Sequence, residues 1–238
     1  MEDVDWNDYD AALFDLDGVI TPTARVHQLA WARMFTDFLQ GRDVDPYTEA
    51  DYFAYVDGKP RYEGVASFLG SRGIELPHGD PSDDPSAETV CGLGNRKNDY
   101  FSEVLRTEGV EAYPGSIALL DALEERGVKS ALVSSSRNAR PVLAAAGLAD
   151  RFEVVVDGEV AAAEHIAGKP RPDTFLIAAE RLGVASKRSV VLEDAVSGVQ
   201  AGAAGDFGLV VGVDRGAGAD VLRENGADVV VSDLAELL

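Results

Sequence analysis

The segment ALFDLDGVIT, residues 12–21, sets two carboxylates, Asp15 and Asp17, one residue apart at the end of an apolar run. Extended backbone points residues i and i+2 to the same side, so both acids face one space if the strand continues through them. Two like charges that close resist ionising together. A hard dication resolves the repulsion, and carboxylate oxygens suit Mg2+. One aspartate can then attack phosphorus to form an aspartyl phosphate, while the second serves as general acid and base. Gly18 allows the backbone to turn sharply beside them. Taken alone, D-x-D equally describes a solvated pair of turn acids.

Three other segments carry companions to that pair. ALVSSSRN (131–138) puts Ser134 where a hydroxyl and the following backbone N–H groups can hold a phosphate; Ser136 fits a helix N-cap as well. GKPRPD (168–173) offers Lys169, either a partner for phosphoryl oxygens or a surface cation. VLEDAVSGV (191–199) closes with Glu193 and Asp194, either further ligands for the same ion or acids favoured at a helix N-terminus. Each has an ordinary explanation by itself. Four strand ends carrying D-x-D, Ser, Lys and Glu-Asp together point to phosphoryl transfer.

The elements that must position these residues are legible as nearly continuous apolar runs at 11–14, 128–134, 152–156, 189–193, 208–212 and 228–231, the pattern of parallel strands buried on both faces. Helical patterns at Ser116–Arg126, Ala139–Ala146, Pro172–Leu182 and Ser197–Ala204 alternate with them. The expectation is an α/β fold: a Rossmann-like, doubly wound parallel sheet. Residues 24–110 break the rhythm, with helical patterns at Ala24–Gln40, Arg61–Ser71 and Glu88–Arg106 and no strand. They read as an all-helical cap inserted after the first strand, leaving 1–23 and 111–238 as the catalytic core. A domain inserted there covers the crevice where such sheets bind ligands. The Pro-rich stretch PHGDPSDDPSAE (77–88) reads as a mobile polar loop.

The 238 residues carry 42 acids against 21 bases, a formal net charge of −21. Such a surface repels nucleic acid and anionic membranes, so neither is expected as a partner. It repels phosphate esters too, so a phosphate site must bring its own local cations. No apolar run approaches the ~20 residues of a membrane span. The acidic start MEDVDWNDYD lacks the basic and apolar regions of a secretory signal. Cys91 is the one cysteine, so no internal disulfide forms. A cytoplasmic location is expected, and a monomer.

The ordered set DxDGxxT, Ser, Lys and Glu-Asp resembles the haloacid dehalogenase superfamily, over essentially the whole chain. The resemblance implies a mobile cap, Asp15 as nucleophile and Asp17 as acid/base. It implies Mg2+ held by the Asp15 carboxylate, the Asp17 backbone carbonyl and Asp194 with help from Glu193, and Ser134 and Lys169 on the transferring phosphoryl group. The dehalogenase branch does not use the second aspartate in this way, so Asp17 argues against it. FDLDGVIT (14–21) with Thr23 and His27, YPGS (113–116), SSSRN (134–138) and LEDA (192–195) are similar to the β-phosphoglucomutase-like branch. DGKPR (57–61) and RKND (96–99) set Arg61 and Lys97 where that branch carries cap cations for a sugar's second phosphate. Ser135, Ser136, Arg137 and Asn138 complete the substrate-binding residues implied. Pro22, standing where that branch has an acid, the length of the 77–88 loop and the acidic N-terminal extension depart from the pattern. The implied activity is conversion of β-glucose 1-phosphate to glucose 6-phosphate, the partner a small phosphorylated sugar. The alternatives are a sugar-phosphate phosphatase and, more remotely, a non-catalytic phosphate-binding protein.

Overall fold

The structure is a computed structural model describing residues 4–238; residues 1–3 of the expected core and acidic N-terminus lie outside the described residues. The chain forms two compact units, one of residues up to Thr23 together with Val110–Leu238, the other Ala24–Gly109.

The first unit begins with β1 (Ala11–Phe14), every residue of which is buried. The helical unit follows: α1 (Thr23–Leu39), which starts at the boundary, then α2 (Glu49–Asp51), α3 (Arg61–Ser71) and α4 (Val90–Glu108). Its core is a sheaf of rings, with Phe35 and Phe68 centroids 4.0 Å apart and Trp31 stacked on Phe35 at 5.3 Å. A buried ion pair, Arg72 Nη2 to Asp51 Oδ2 at 2.6 Å, ties α3 to the start of α2, where Thr48 and Asp51 form a capping box. Residues 77–88 are not a loose excursion. Pro77 and His78 accept the N–H groups of Val90 and Cys91. The Thr89 hydroxyl donates to Asp83, and the Asn95 amide and Arg96 guanidinium donate to carbonyls of Pro81, Asp83 and Pro85. The polar residues that suggested mobility spend their hydrogen bonds on one another and on α4.

The first unit resumes with α5 (Pro114–Glu125), β2 (Lys129–Val133), α6 (Ala139–Ala145), β3 (Val154–Val156), α7 (Gly158–Ala163), α8 (Asp173–Leu182), β4 (Ser189–Glu193), α9 (Val196–Ala204), β5 (Leu209–Val213), α10 (Ala219–Glu224) and β6 (Val229–Val231). The six strands form one parallel sheet in the order β3-β2-β1-β4-β5-β6, the doubly wound order expected for a Rossmann-like sheet. The chain runs from β1 outward to β2 and β3, then crosses back from β3 to β4 on the other side of β1. That makes the C-terminal ends of β1 and β4 the switch point at which such sheets open a crevice. Ala11, Leu13, Ala131, Val133 and Val191 of the strands pack with Phe175, Ala178 and Leu182 of α8. Strands covered by helices explain the unbroken apolar runs. Among the described residues no helix is long and apolar enough to cross a membrane.

Candidate active site

The strand ends converge. Asp15 follows β1 and still pairs with β4, its N–H donating to Leu192 O at 2.9 Å. The pleat stops there, so the strand does not carry through Asp17 as the sequence pattern suggested. A tight loop places Asp17 instead: Gly18 N–H donates to Thr21 O at 2.7 Å, and the N–H groups of Ile20 and Thr21 both reach back to Leu16 O. Gly18 sits at φ +89°, a region closed to most side chains. The Asp17 carboxylate is oriented by a hydroxyl chain: Thr23 Oγ1 donates to Oδ1 at 2.5 Å and lies 2.7 Å from Thr21 Oγ1.

Lys169 is the hub. Its Nζ donates to Asp15 Oδ1 and Glu193 Oε1, both at 2.6 Å, and to Val133 O at 2.9 Å, with the Phe175 ring beneath it. Burial alone would lower the Lys169 ammonium, but the carboxylates of Asp15 and Glu193 outweigh it and hold the pKa up. Burial pushes the Asp15 carboxyl well up, and Glu193 and Asp17 add to this against the pull of Lys169. An acid held that way accommodates a further positive charge. Carboxylate oxygens of Asp15, Glu193 and Asp194 lie within 4.8 Å of one another in a buried cluster. Three hard oxygen donors around one point fit a Mg2+ ion. The Asp17 side chain is outside this cluster, and Glu193 is already committed, its Oε2 accepting the Ala195 N–H at 2.9 Å.

The end of β2 closes in a chain of hydroxyl-capped turns. Ser134 N–H pairs with Val156 O. The Ser134 hydroxyl then accepts the Ser136 N–H at 3.1 Å, and Ser136 Oγ accepts the Asn138 N–H at 3.0 Å. These nested turns, rather than a helix N-cap, are what the Ser134 and Ser136 hydroxyls build; Asn138 is the cap residue just before α6. Gly158 packs against this loop, its N–H donating to Ser136 O at 3.1 Å. Sequence reasoning missed Asp157 beside it, a buried strand-end acid that caps α7 and pairs with Arg140 Nε at 3.2 Å. Its signal, an Asp immediately before Gly at the close of a Val run, is also that of any turn.

The helical unit carries the remaining candidates. Lys97 is 3% exposed, hydrogen-bonded to His27 Nδ1 and set over the Trp31 and Phe101 rings at 5.0 and 5.1 Å. The His27 ring stacks on Phe101, centroids 4.1 Å apart. Arg61 Nη2 donates to Asn98 Oδ1 at 2.7 Å, so the residue beside Lys97 orients Arg61. Asn98 was not singled out from the sequence, although it lies within the RKND run.

A parallel sheet in doubly wound order, with buried acids, a lysine and a serine loop at its strand ends, defines a Rossmann-like enzyme of phosphoryl chemistry. The chain belongs to the haloacid dehalogenase-like hydrolase family, whose profile matches residues 9–206. A Mycobacterium bovis protein named β-phosphoglucomutase is 54% identical over 239 residues, covering 96% of this chain and 91% of its own. Hexitol phosphatase A of Escherichia coli is 32% identical over 230 residues, covering 94% and 91%. The crystal structure of a β-phosphoglucomutase from Clostridium difficile superposes with a TM-score of 0.78 at 26% identity, covering 97% of this chain and 93% of that one. The chain is thus an enzyme of the phosphomutase or phosphatase kind.

Proposed function

We propose that this protein is a β-phosphoglucomutase, converting β-glucose 1-phosphate to glucose 6-phosphate through an aspartyl phosphate on Asp15. The observation that carries the reading is the buried Asp15–Lys169–Glu193 triad beside Asp194 and the Ser134 loop; the 54% identity to a named mutase supports the choice of reaction.

In this reading Asp15 attacks phosphorus in line, while Lys169 and Ser134 bind the equatorial oxygens of the phosphoryl group. Asp17 protonates the departing sugar oxygen. The phosphoryl group held on Asp15 passes to the free hydroxyl of a β-glucose 1-phosphate, Asp17 taking that hydroxyl's proton. The bisphosphate so formed reorients, Asp15 attacks the phosphorus of its 1-phosphate, and Asp17 returns the proton to the departing oxygen of glucose 6-phosphate. Asp15, the Asp17 backbone carbonyl and Asp194 are the proposed holders of Mg2+, with Glu193 assisting chiefly by holding Lys169. The ion supplies positive charge against the phosphoryl oxygens. A mutase differs from a simple phosphatase in needing cations for a second phosphate. Arg61 and Lys97 are proposed for that task, helped by Arg137, Asn138, Ser135 and Ser136, with His27 orienting the sugar and Thr23 orienting Asp17. Arg61 suits it because a guanidinium grips a phosphate bidentately. We expect a cytoplasmic monomer acting on a small sugar phosphate, not on nucleic acid or membrane.

Water as acceptor would turn the same groups into a sugar-phosphate phosphatase, the reading that the hexitol phosphatase relative favours. A non-catalytic phosphate-binding protein is disfavoured because every strand-end position is filled. The deciding experiment supplies β-glucose 1-phosphate, Mg2+ and a glucose bisphosphate primer. Glucose 6-phosphate formed without free phosphate supports the mutase; prompt release of phosphate overturns it in favour of the phosphatase.

A further inference from the structure

One cation of the first unit is built into the loop that carries Asp17 although nothing above assigns it a task. Arg215 follows β5. Its Nε donates to Gly18 O at 2.8 Å, its Nη1 donates to Ser232 O at 2.8 Å, and its guanidinium carbon lies 4.0 Å above the centre of the Tyr113 ring. Nη2 is buried and makes no hydrogen bond among the described residues. Arg215 therefore joins the loop after β1, the residue preceding α5 and the segment after β6. It is presented on a prefolded turn: Asp214 Oδ1 accepts the N–H groups of Gly216 at 2.9 Å and Gly218 at 3.1 Å, and Asp214 N–H pairs with Val231 O.

The residue it holds is the next one after Asp17. Gly18 has its N–H fixed by Thr21 and its carbonyl fixed by Arg215, and its α-carbon lies against the Asp194 carboxylate. Tyr113, the stacking partner, in turn donates its N–H to Ile20 O at 2.9 Å, so the same loop is gripped from two sides. A buried guanidinium nitrogen without an acceptor is costly to keep. A guanidinium is kept here because a flat, forked group meets two carbonyls and a ring face at once, which an ammonium does not.

We propose that Arg215 is a positioning residue for the acid/base step: by clamping the Gly18 carbonyl it sets where the Asp17 carboxyl stands. This rests on the reading of Asp17 given above. In the step concerned the Asp15 oxygen forms its bond to phosphorus, the bond from phosphorus to the sugar oxygen breaks, and that oxygen takes the Asp17 proton. An aryl phosphate such as p-nitrophenyl phosphate goes through the same bond changes at phosphorus, but its phenolate leaves without needing the proton; water must then take the phosphoryl group from Asp15, so only the first release of phenolate is free of Asp17.

The test compares Arg215→Lys and Arg215→Met with wild type on β-glucose 1-phosphate and on p-nitrophenyl phosphate, with the folded fraction followed by circular dichroism. The expected result is a kcat for the sugar phosphate reduced at least about tenfold at a KM changed less than about threefold, with the first-turnover burst of p-nitrophenolate slowed less than about threefold. Arg215→Lys does not restore the sugar reaction, because the lysine lacks the fork. Equal losses on both substrates, losses that follow the folded fraction, or no loss on either overturn the proposal. Wild-type protein that turns over the aryl phosphate but not the sugar phosphate overturns the functional reading itself, a result visible before any variant is compared.

Discussion

The α-carbon of Gly18 lies against the carboxylate of Asp194, so closely that a β-carbon there would overlap Oδ2 and Cγ. At φ +89° the position also strains any other residue, by about 1–3 kcal/mol. Gly18→Ala must displace either the loop of Asp17 or the Asp194 side chain. We predict a folded protein of lower melting temperature in which Mg2+ no longer raises that temperature. Wild type at a hundredfold excess over Kd should gain about 2.7 kcal/mol from the ion. Thermal melts with and without Mg2+ check both parts, and an alanine variant that responds to Mg2+ like wild type refutes them.

Asp15 and Asp17 have separable tasks. Asp15→Asn removes the nucleophile and should leave no measurable turnover of any phosphate ester. Asp17→Asn removes acid/base catalysis and should lower sugar phosphate turnover by about 100- to 10,000-fold. Rapid-quench measurement of phosphorylated protein separates them, since only the first substitution removes the covalent site. Wild-type-like turnover in the Asp15 variant would show the nucleophile to be another group.

Arg61 is proposed to grip a phosphate with its fork, a geometry lysine does not reproduce. Arg61→Lys should raise KM for β-glucose 1-phosphate by about tenfold, roughly one charge-assisted hydrogen bond, while turnover of a small phosphate donor such as acetyl phosphate is unchanged. Steady-state kinetics on both substrates is the check, and an equal loss on both would assign Arg61 a structural part.

The Asp51–Arg72 pair gives the helical unit a defined acid sensitivity. Burial alone would raise the Asp51 carboxyl, but hydrogen bonds from Arg72 and Thr48 and the guanidinium charge bring it below its ordinary value. A lowered carboxyl stabilises the fold above its unfolded value of about 4, and that stabilisation is lost as pH falls through the folded value. Arg72→Met should therefore melt below wild type at neutral pH, by about 1.5–3 kcal/mol. The gap should narrow on acidification below about pH 4, leaving the part that comes from the bonds of Arg72 to the Asp45 and Pro46 carbonyls. Melting curves across that range test it, and a gap that persists undiminished at low pH rules out the pair as its source.

Much of this organisation is legible in the residues because local rules and tertiary context agree. AALF and SVVLE become strands with the bounds read from the sequence, since a strand covered on both faces shows as a nearly continuous apolar run. The short helices α7 and α10 were not legible. Each has six residues, too few for an amphipathic period to register, and each is fixed by a tertiary surface rather than by propensity. The 77–88 loop misled for a related reason: Pro, Asp and Ser mark a turn but do not say which donors the turn will find.

The order of chemical groups along the chain, D-x-D, then Ser, Lys and Glu-Asp, belongs to the sequence, and with it the class of chemistry. Strand order, and therefore the meeting of residues 154 positions apart such as Asp15 and Lys169, belongs to the fold. Side-chain identity is local, whereas convergence at one sheet edge requires crossovers that take β1 to β2 on one flank and bring β4 to the other. The same distinction covers Arg215: its type is visible in VDRG, but the carbonyl it holds lies 197 residues earlier in the chain, and only the packed sheet brings the two together.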